Sequence, residues 1–358
     1  MKKLYTFLIL FTAFTFALKA QDIHFSQFYE NASLVNPALM GQAYSIKASV
    51  IYKDQWRSVT VPYKTFGAEV EMRFKQKAWK KVGNHATRKF KKAASKMAMG
   101  LSFFTDKAGD ANMGTTMGNL SLSSNIPLTR KASLALGLQG SIVQRKIDYS
   151  KLVWPDQYTG TGYDQGMLSG ENFTAGNFTY PDFAAGLLFS YGYTDKSIGA
   201  NNEFKMDVGF SMYHFTTPRL YFLDTTGERL FTKELIHGKF QIGLENTNIS
   251  LVPSYIVQIQ GPSIEFIAGS MVRYAFKSDS KYTGNVQASY FSLGLFYRNR
   301  DAFIARAQFE FHEYAIGFAY DLNTSELRPA SNVRGGFEFF IRFNARSAYL
   351  YQNNARFL

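Results

Sequence analysis

Apolar and polar side chains alternate with a period of two in many separate stretches of this chain. In Thr65–Phe74 every even position is apolar, whereas the odd positions include Glu69, Glu71 and Arg73. The same alternation recurs in Ala132–Ile142, Phe303–Phe311 and Phe337–Phe343. A period of two predicts β-strands, because successive side chains of a strand point to opposite faces of the sheet. The chain is therefore expected to fold from strands with one apolar and one polar face.

The length of these stretches separates a membrane protein from a soluble one. Strands of a soluble sandwich run to about five or six residues, whereas a tilted strand needs about 9–11 residues to cross hydrocarbon. Charges of both signs share the polar face, as in a barrel lumen, and Phe and Tyr lie near the strand ends, where aromatic girdles form. We predict an all-β protein, a transmembrane antiparallel up-and-down β-barrel over residues 45–343. An exported soluble all-β protein is the alternative.

Fourteen segments fit the pattern, and an even number agrees with bacterial single-chain barrels. Their expected cores are Ser45–Tyr52, Thr65–Phe74, Met97–Phe104, Thr116–Ser124, Ala132–Arg145, Phe183–Tyr193, Phe204–Phe215, Lys233–Leu244, Ile249–Gln258, Ile264–Phe276, Phe291–Arg298, Phe303–Phe311, Tyr314–Leu322 and Gly335–Phe343. If the N-terminus is periplasmic, Ser150–Pro181 becomes the longest outer loop. The carboxylates of the predicted lumen are expected to pair with lumen arginines, namely Glu69, Glu71, Glu310 and Glu338 with Arg73, Arg306 and Arg342.

The N-terminus has the pattern of an export signal. Lys2 and Lys3 precede an apolar stretch from Leu4 to Leu18, and Ala20 offers a small residue before Gln21. This predicts a secretory signal peptide over residues 1–20, cleaved near Ala20. The stretch is too short for a membrane anchor, and no later segment offers about 20 uninterrupted apolar residues. An exported chain makes nucleic acid an unsuitable partner.

The formal net charge of +13 is concentrated in one segment. Three lysines fall in the predicted signal peptide, and Lys75–Lys96 holds nine basic residues and no acidic one, so the rest of the chain is nearly neutral. Apolar residues of this segment follow a helical spacing from Trp79 to Met97, which predicts an amphipathic basic helix at a periplasmic turn. Such a helix can lie on anionic headgroups or dock on an acidic partner. A solvated loop is the alternative.

No set of residues in the sequence points to catalysis, to a metal or to a cofactor. The chain has no cysteine, which excludes disulfides, thiolate ligands and Cys nucleophiles. Its five histidines are scattered, without a His-Glu-x-x-His or a Gly-x-Ser-x-Gly motif. His312 beside Glu313 is most simply a solvated pair at a tight turn. We therefore predict a protein that is not an enzyme, without cofactors.

Several short motifs are found along the mature chain. It opens Gln-Asp-Ile-His-Phe-Ser-Gln-Phe over Gln21–Phe28 and continues with Asn36-Pro37-Ala38 and then Gly41. Later runs are Tyr52–Trp56, Phe104–Gly109 and Ile316–Asp321. In these features the chain resembles the PorP/SprF family, outer-membrane components of the type IX secretion system of Bacteroidota. It departs from the family pattern in Ile23, where Pro is usual, in the insertion Lys75–Lys96 and in the extension Asn344–Leu358.

The resemblance implies an outer-membrane location and a role in exporting or anchoring proteins that carry a type IX C-terminal signal. It implies partners among the other secretion components on the periplasmic side, and one branch of the family secretes gliding adhesins. On this basis we predict a non-enzymatic barrel subunit that is anchored in outer-membrane lipid and recruits periplasmic partners and cargo. The alternative is a porin or small-molecule uptake channel that uses the charged lumen.

Two segments are candidates for partner binding. Residues 21–44 are polar, carry aromatics and are broken by Pro37, so in a barrel they form a periplasmic lead-in or a plug inside the lumen. The candidate partner-binding residues are Gln21, Asp22, Phe25, Ser26, Gln27, Phe28, Asn36 and Pro37 in this segment, and Lys80, Lys81, Arg88, Lys89, Lys91 and Lys92 in the basic segment 75–96. Residues 344–358 are predicted to be a periplasmic tail.

Overall fold

The computed structural model describes residues 22–57, 61–74, 96–109, 111–129, 131–170, 176–193, 201, 203–220, 228–277, 289–325 and 334–345. Three predicted segments lie outside these ranges wholly or in large part. They are the signal peptide, most of the basic segment, and residues 346–358 of the tail.

Fourteen antiparallel strands form a closed barrel, as predicted. They are β1 (Ile46–Gln55), β2 (Tyr63–Arg73), β3 (Lys96–Ala108), β4 (Met113–Pro127), β5 (Ala132–Lys146), β6 (Asn177–Tyr193), β7 (Phe204–Tyr213), β10 (Lys233–Gly243), β11 (Ile249–Gln260), β12 (Ser263–Lys277), β13 (Ser289–Arg298), β14 (Ala302–Phe311), β15 (Tyr314–Asn323) and β16 (Arg334–Ala345). The pair β8 (Arg219–Leu220) and β9 (Glu228–Arg229) forms a separate small sheet. Closure occurs between β1 and β16, where Ile46 lies opposite Ala345.

The helices of the described residues are short. An α-helix, α1, spans Ala32–Val35, and 3₁₀ helices span Phe28–Glu30, Pro37–Leu39, Tyr149–Lys151 and Pro155–Gln157. None of the helices in the described ranges is long and apolar enough to cross a membrane.

The alternation in the sequence corresponds to an outer and an inner face of the barrel. Val70 is 52% exposed on the outer face, whereas its neighbour Glu69 is 1% exposed and faces the lumen. Exposed aromatic side chains lie near both ends of the strands, such as Phe311 and Tyr314 at one end and Phe303 at the other. This is the pattern of a lipid-facing apolar band with aromatic girdles, so the predicted assignment of the two faces is confirmed.

The barrel has two mouths, which are named here for their connections. The turn mouth is the end at which β1 starts, and it includes the turns at 244–248 and 312–313. The loop mouth is the opposite end, and it includes the longer stretches 147–170 and 214–220. The core of the molecule lies between the mouths, where residues 22–42 pack against the inner face of the wall. These residues are called the lumenal segment below.

Candidate functional site

The lumenal segment runs along the lumen from the loop mouth to the turn mouth. At one end Asp22 contacts His214 and Gln260, which follow or end strands at the loop mouth. At the other end Gln42 contacts Asn125 near the end of β4, at the turn mouth. The candidate residues that the structure describes here are Asp22, Phe25, Ser26, Gln27, Phe28, Asn36 and Pro37; all are buried except Asp22, which is partly buried.

The other candidate residues lie outside the described part of the chain. These are Gln21, Lys80, Lys81, Arg88, Lys89, Lys91 and Lys92. Partner binding by any residue of either set stays a prediction. The described candidate residues contact the barrel wall inside the lumen. A partner that enters from one mouth therefore has to bind the lumenal segment where it lies or displace it.

Apolar side chains of the lumenal segment complete a core that the wall alone does not have. Phe28 and Val35 belong to a buried cluster with wall residues of several strands, among them Leu235, Ile267 and Phe296. Most wall positions that face the lumen are polar. The wall residues of these clusters are apolar instead, because they pack against apolar side chains of the lumenal segment. Phe25 forms a second cluster whose wall members are Ile51, Phe104, Ala315 and Phe340.

At the loop mouth a histidine holds the start of the segment between two carboxylates. His214 Nε2 lies 2.6 Å from Asp22 Oδ2 and His214 Nδ1 lies 2.8 Å from Asp182 Oδ2. Arg145 lies 3.3 Å from the other oxygen of Asp22. Burial opposes the charged forms, but the two carboxylates raise the pKa of His214 to about 9, and His214 with its basic neighbours keeps the pKa of Asp22 well below its usual range despite burial. An imidazolium between two carboxylates therefore fastens this end at neutral pH.

Below this point Glu338 and Asp321 bind Ser26 and Gln27. Both oxygens of Glu338, which is 0% exposed, accept backbone N–H groups, from Ser26 at 2.6 Å and Gln27 at 2.9 Å. The Ser26 hydroxyl donates to Asp321 and accepts from Arg298 at 2.5 Å. Buried carboxylates are costly unless hydrogen-bonded and paired, and here the lumenal segment supplies donors from its backbone to Glu338 and from the Ser26 hydroxyl to Asp321.

The N-terminus of α1 meets a third buried carboxylate. Glu69 accepts from Ala32 N at 3.0 Å and from Ser33 N at 2.9 Å, which satisfies backbone donors that a helix leaves free at its start. Lys47 bridges Glu69 at 3.3 Å and Glu71 at 2.8 Å.

The predicted pairing of lumen charges is only partly correct. Arg342 pairs with Glu310 at 3.9 Å and with Glu30 of the lumenal segment at 2.7 Å. Arg73 instead donates to the carbonyls of Gly41 and Gln42, both at 2.6 Å, and Arg306 forms no ion pair with a described residue. At Arg73 the prediction failed because it treated the wall without the lumenal segment, whose carbonyls bind this side chain. Arg306 instead lies over the rings of Phe28 and Phe296.

The Asn-Pro-Ala sequence packs closely against the wall, beside Gly137 and Gly186. Asn36 caps the following 3₁₀ helix by accepting from Ala38 N at 2.8 Å, and Pro37 takes the first helical position, where its missing N–H is harmless. The Asn36 Nδ2 donates to the carbonyls of Leu187 at 2.9 Å and Phe210 at 3.2 Å. It also lies 3.0 Å from His237 Nε2. The side chain therefore ties the segment to three strands at once.

A cavity of about 1190 Å³ lies between the lumenal segment and the wall on the turn-mouth side. Tyr29 and Glu30 of the segment line it, with charged wall residues that include Lys239, Arg273 and Arg306. No cluster of three or more His, Cys, Asp or Glu side chains suited to a metal ion occurs in the described ranges.

The chain is similar to known proteins in both sequence and fold. A family model described as "Type IX secretion system membrane protein PorP/SprF" matches residues 17–343. Similar solved structures include a TodX deltaS2S3 mutant monoaromatic hydrocarbon channel, with 8% identity over 88% of this chain and 94% of that chain and a TM-score of 0.46. A FadL homologue of Pseudomonas aeruginosa shares 11% identity over 87% of this chain and 93% of that chain, with a TM-score of 0.44. A comparison with curated proteins finds no match.

Proposed function

The chain belongs to the PorP/SprF family of type IX secretion system membrane proteins, and from this membership and the geometry of its lumen we propose that it works by docking proteins rather than by conducting solutes. It is an outer-membrane β-barrel of that secretion system. In the proposed mechanism the barrel holds periplasmic secretion components at its turn mouth and meets cargo with a type IX C-terminal signal. It thereby supports export or surface anchoring, with gliding adhesins as one class of cargo.

The observation that carries the proposal is the filled lumen. The lumenal segment is bound by carboxylates of β2, β15 and β16 and by the apolar clusters around Phe25 and Phe28. Each buried carboxylate named above would lose hydrogen-bond donors if the segment left, which costs roughly 1–3 kcal/mol per unsatisfied group. A barrel closed in this way favours recruitment over steady diffusion of solutes. Family and fold likewise indicate a structural barrel rather than an enzyme.

Single-channel conductance separates the proposal from a porin or small-molecule uptake channel. We expect the full chain in a planar bilayer to give no steady large current, and a variant that lacks residues 22–42 to give one. The matched control is Lys151→Gln at the exposed loop mouth, which is expected to behave like the wild type. A steady large current through the wild-type protein would favour the porin and contradict the docking proposal.

Copurification tests the recruiting part of the proposal. Outer membranes are solubilised gently, the barrel is captured by a tag, and the proteins recovered with it are identified. Recovery of periplasmic secretion components and of proteins with the type IX C-terminal signal is expected. Recovery of the barrel alone from cells that secrete such cargo would count against docking.

A further inference from the structure

Several side chains that line the turn-mouth cavity have buried hydrogen-bond donors without an acceptor. In the part of the chain that the structure describes, these nitrogens are Gln27 Nε2, Arg273 Nε, Arg306 Nε and Nη2, and Arg342 Nε. The buried oxygens that lack a partner in the same ranges belong to residues that do not line the cavity. The unmet groups of the lining are therefore all donors.

Arg306 is the most unusual member of this set. It is 8% exposed, and its guanidinium lies 3.8 Å from the ring centroid of Phe296 and 4.9 Å from that of Phe28. Arg273 and Arg342 pair with Glu310, whereas Arg306 has no carboxylate within ion-pair distance among the described residues. The two rings lie against the guanidinium and restrict its movement.

Both the charge and the unsatisfied donors around Arg306 favour binding of an anion. A buried cation without a partner is unfavourable, and an unsatisfied buried donor adds to the cost. Lys239 adds positive charge, since its Nζ lies 5.3 Å from the ring centroid of Tyr29 and it pairs with no described carboxylate. Asp207 lies opposite Lys239 in the sheet register and offsets part of the charge of Lys239.

We propose that the turn-mouth cavity binds an organic anion whose carboxylate is held by Arg306 and Gln27. A carboxylate matches the planar donors of a guanidinium in a way that a single point acceptor does not. The remaining lining is partly apolar, with Leu39, Val252 and Met271, which suits an apolar or aromatic body on the ligand. The volume exceeds the roughly 300–1,000 Å³ of common small-molecule pockets, so the carboxylate of a small acid and that of a peptide end both fit. This binding does not depend on the secretion role proposed above.

The proposal is tested with probes that differ in one group. Benzoate and benzamide have nearly the same shape, and only benzoate carries a carboxylate; inorganic phosphate tests for a general anion site. A short peptide ending in phenylalanine is compared with its C-terminal amide to distinguish a peptide end from a small acid. Binding to the full chain in detergent is measured by calorimetry.

Benzoate, the free-acid peptide or both are expected to bind, and the corresponding amides are not. Arg306→Met is expected to weaken binding by roughly tenfold or more, as for loss of a charged hydrogen bond. Gln27→Glu places a carboxylate in the cavity and is expected to compete with the ligand, which keeps the test usable if Arg306→Met does not fold. Lys151→Gln, which removes a charge at the loop mouth, is the matched control. Equal binding of acids and amides, binding of phosphate alone, or unchanged affinity in Gln27→Glu would overturn the proposal.

Discussion

The lumenal segment restricts which residue types fit at the wall positions that face it. Gly186 on β6 is an example, because an added Cβ would collide with Asn36 Oδ1 and lie 2.8 Å from Asn36 Cγ. The side chain of Asn36 needs this space to reach the carbonyls of β6 and β7. Glycine is therefore required at this position for a close approach rather than for an unusual backbone conformation.

Gly186→Ala is predicted to loosen the lumenal segment. The clash with Asn36 is expected to cost about 1–3 kcal/mol, the usual range for overpacking in a filled interior. Hydrogen exchange in detergent measures the effect, as faster exchange of amides in residues 31–39 than in the wild type. Gly118→Ala is the matched control, because nothing lies within 4 Å of an added Cβ there. Equal exchange in the two variants would contradict the packing argument.

The ion pairs of His214 with Asp22 and Asp182 predict a specific dependence of stability on pH. A free histidine has a pKa of about 6.5, and that of His214 in the folded protein is about 9. Because the folded-state value is the higher one, the stabilisation is complete below about pH 6.5 and is lost as the pH rises through about 9. The midpoint temperature of thermal unfolding in detergent should therefore fall more steeply between pH 7 and pH 10 in the wild type than in His214→Gln. His312→Gln, at the exposed turn mouth, should keep the wild-type slope.

At the scale of elements, the sequence was sufficient to predict the strands but not the contacts inside the lumen. Period-two patterning located all fourteen barrel strands, with ends that differ by a few residues; β3, for example, extends from Lys96 to Ala108 rather than from Met97 to Phe104. Inward-facing Phe104 and Phe340 could not be interpreted from the alternation, because their partner is Phe25, far away in the chain. The same holds for Arg73, whose acceptors are backbone carbonyls that no sequence pattern marks.

The basic segment 75–96 gives a prediction for an element inserted between two paired strands. β2 and β3 pair directly from Lys64 opposite Lys107 to Arg73 opposite Ala98, so the barrel is expected to fold without the insertion. Replacing Lys80, Lys81, Arg88, Lys89, Lys91 and Lys92 by Gln should preserve the heat-modifiable gel mobility of the folded barrel. It should also reduce pull-down of acidic periplasmic partners, since the segment would lose six of its nine positive charges. Unchanged recovery of partners would remove this segment from the docking proposal.

On the scale of the whole molecule, the path of the lumenal segment links the orientation of the barrel to the site. Asp22 lies at the loop mouth and β1 starts at the turn mouth, so the two ends of this segment face opposite sides of the membrane. The cavity lies at the turn mouth, as do the end of β2 and the start of β3, which flank the basic segment. If the turn mouth is periplasmic, as we propose, both lie where secretion components are available, and the loop mouth faces the exterior.

Cysteine labelling tests this orientation cleanly, because the chain contains no cysteine of its own. Gln165→Cys lies in an exposed part of the loop mouth, and Glu245→Cys lies in an exposed turn of the turn mouth. Neither side chain makes a hydrogen bond or ion pair with another described residue, so both variants should fold as the wild type does. A membrane-impermeant maleimide is expected to label Gln165→Cys on intact cells and Glu245→Cys only after the outer membrane is permeabilised. The reverse pattern would place the cavity at the cell surface, and the periplasmic docking mechanism would then fail even though the barrel and its filled lumen remained as described.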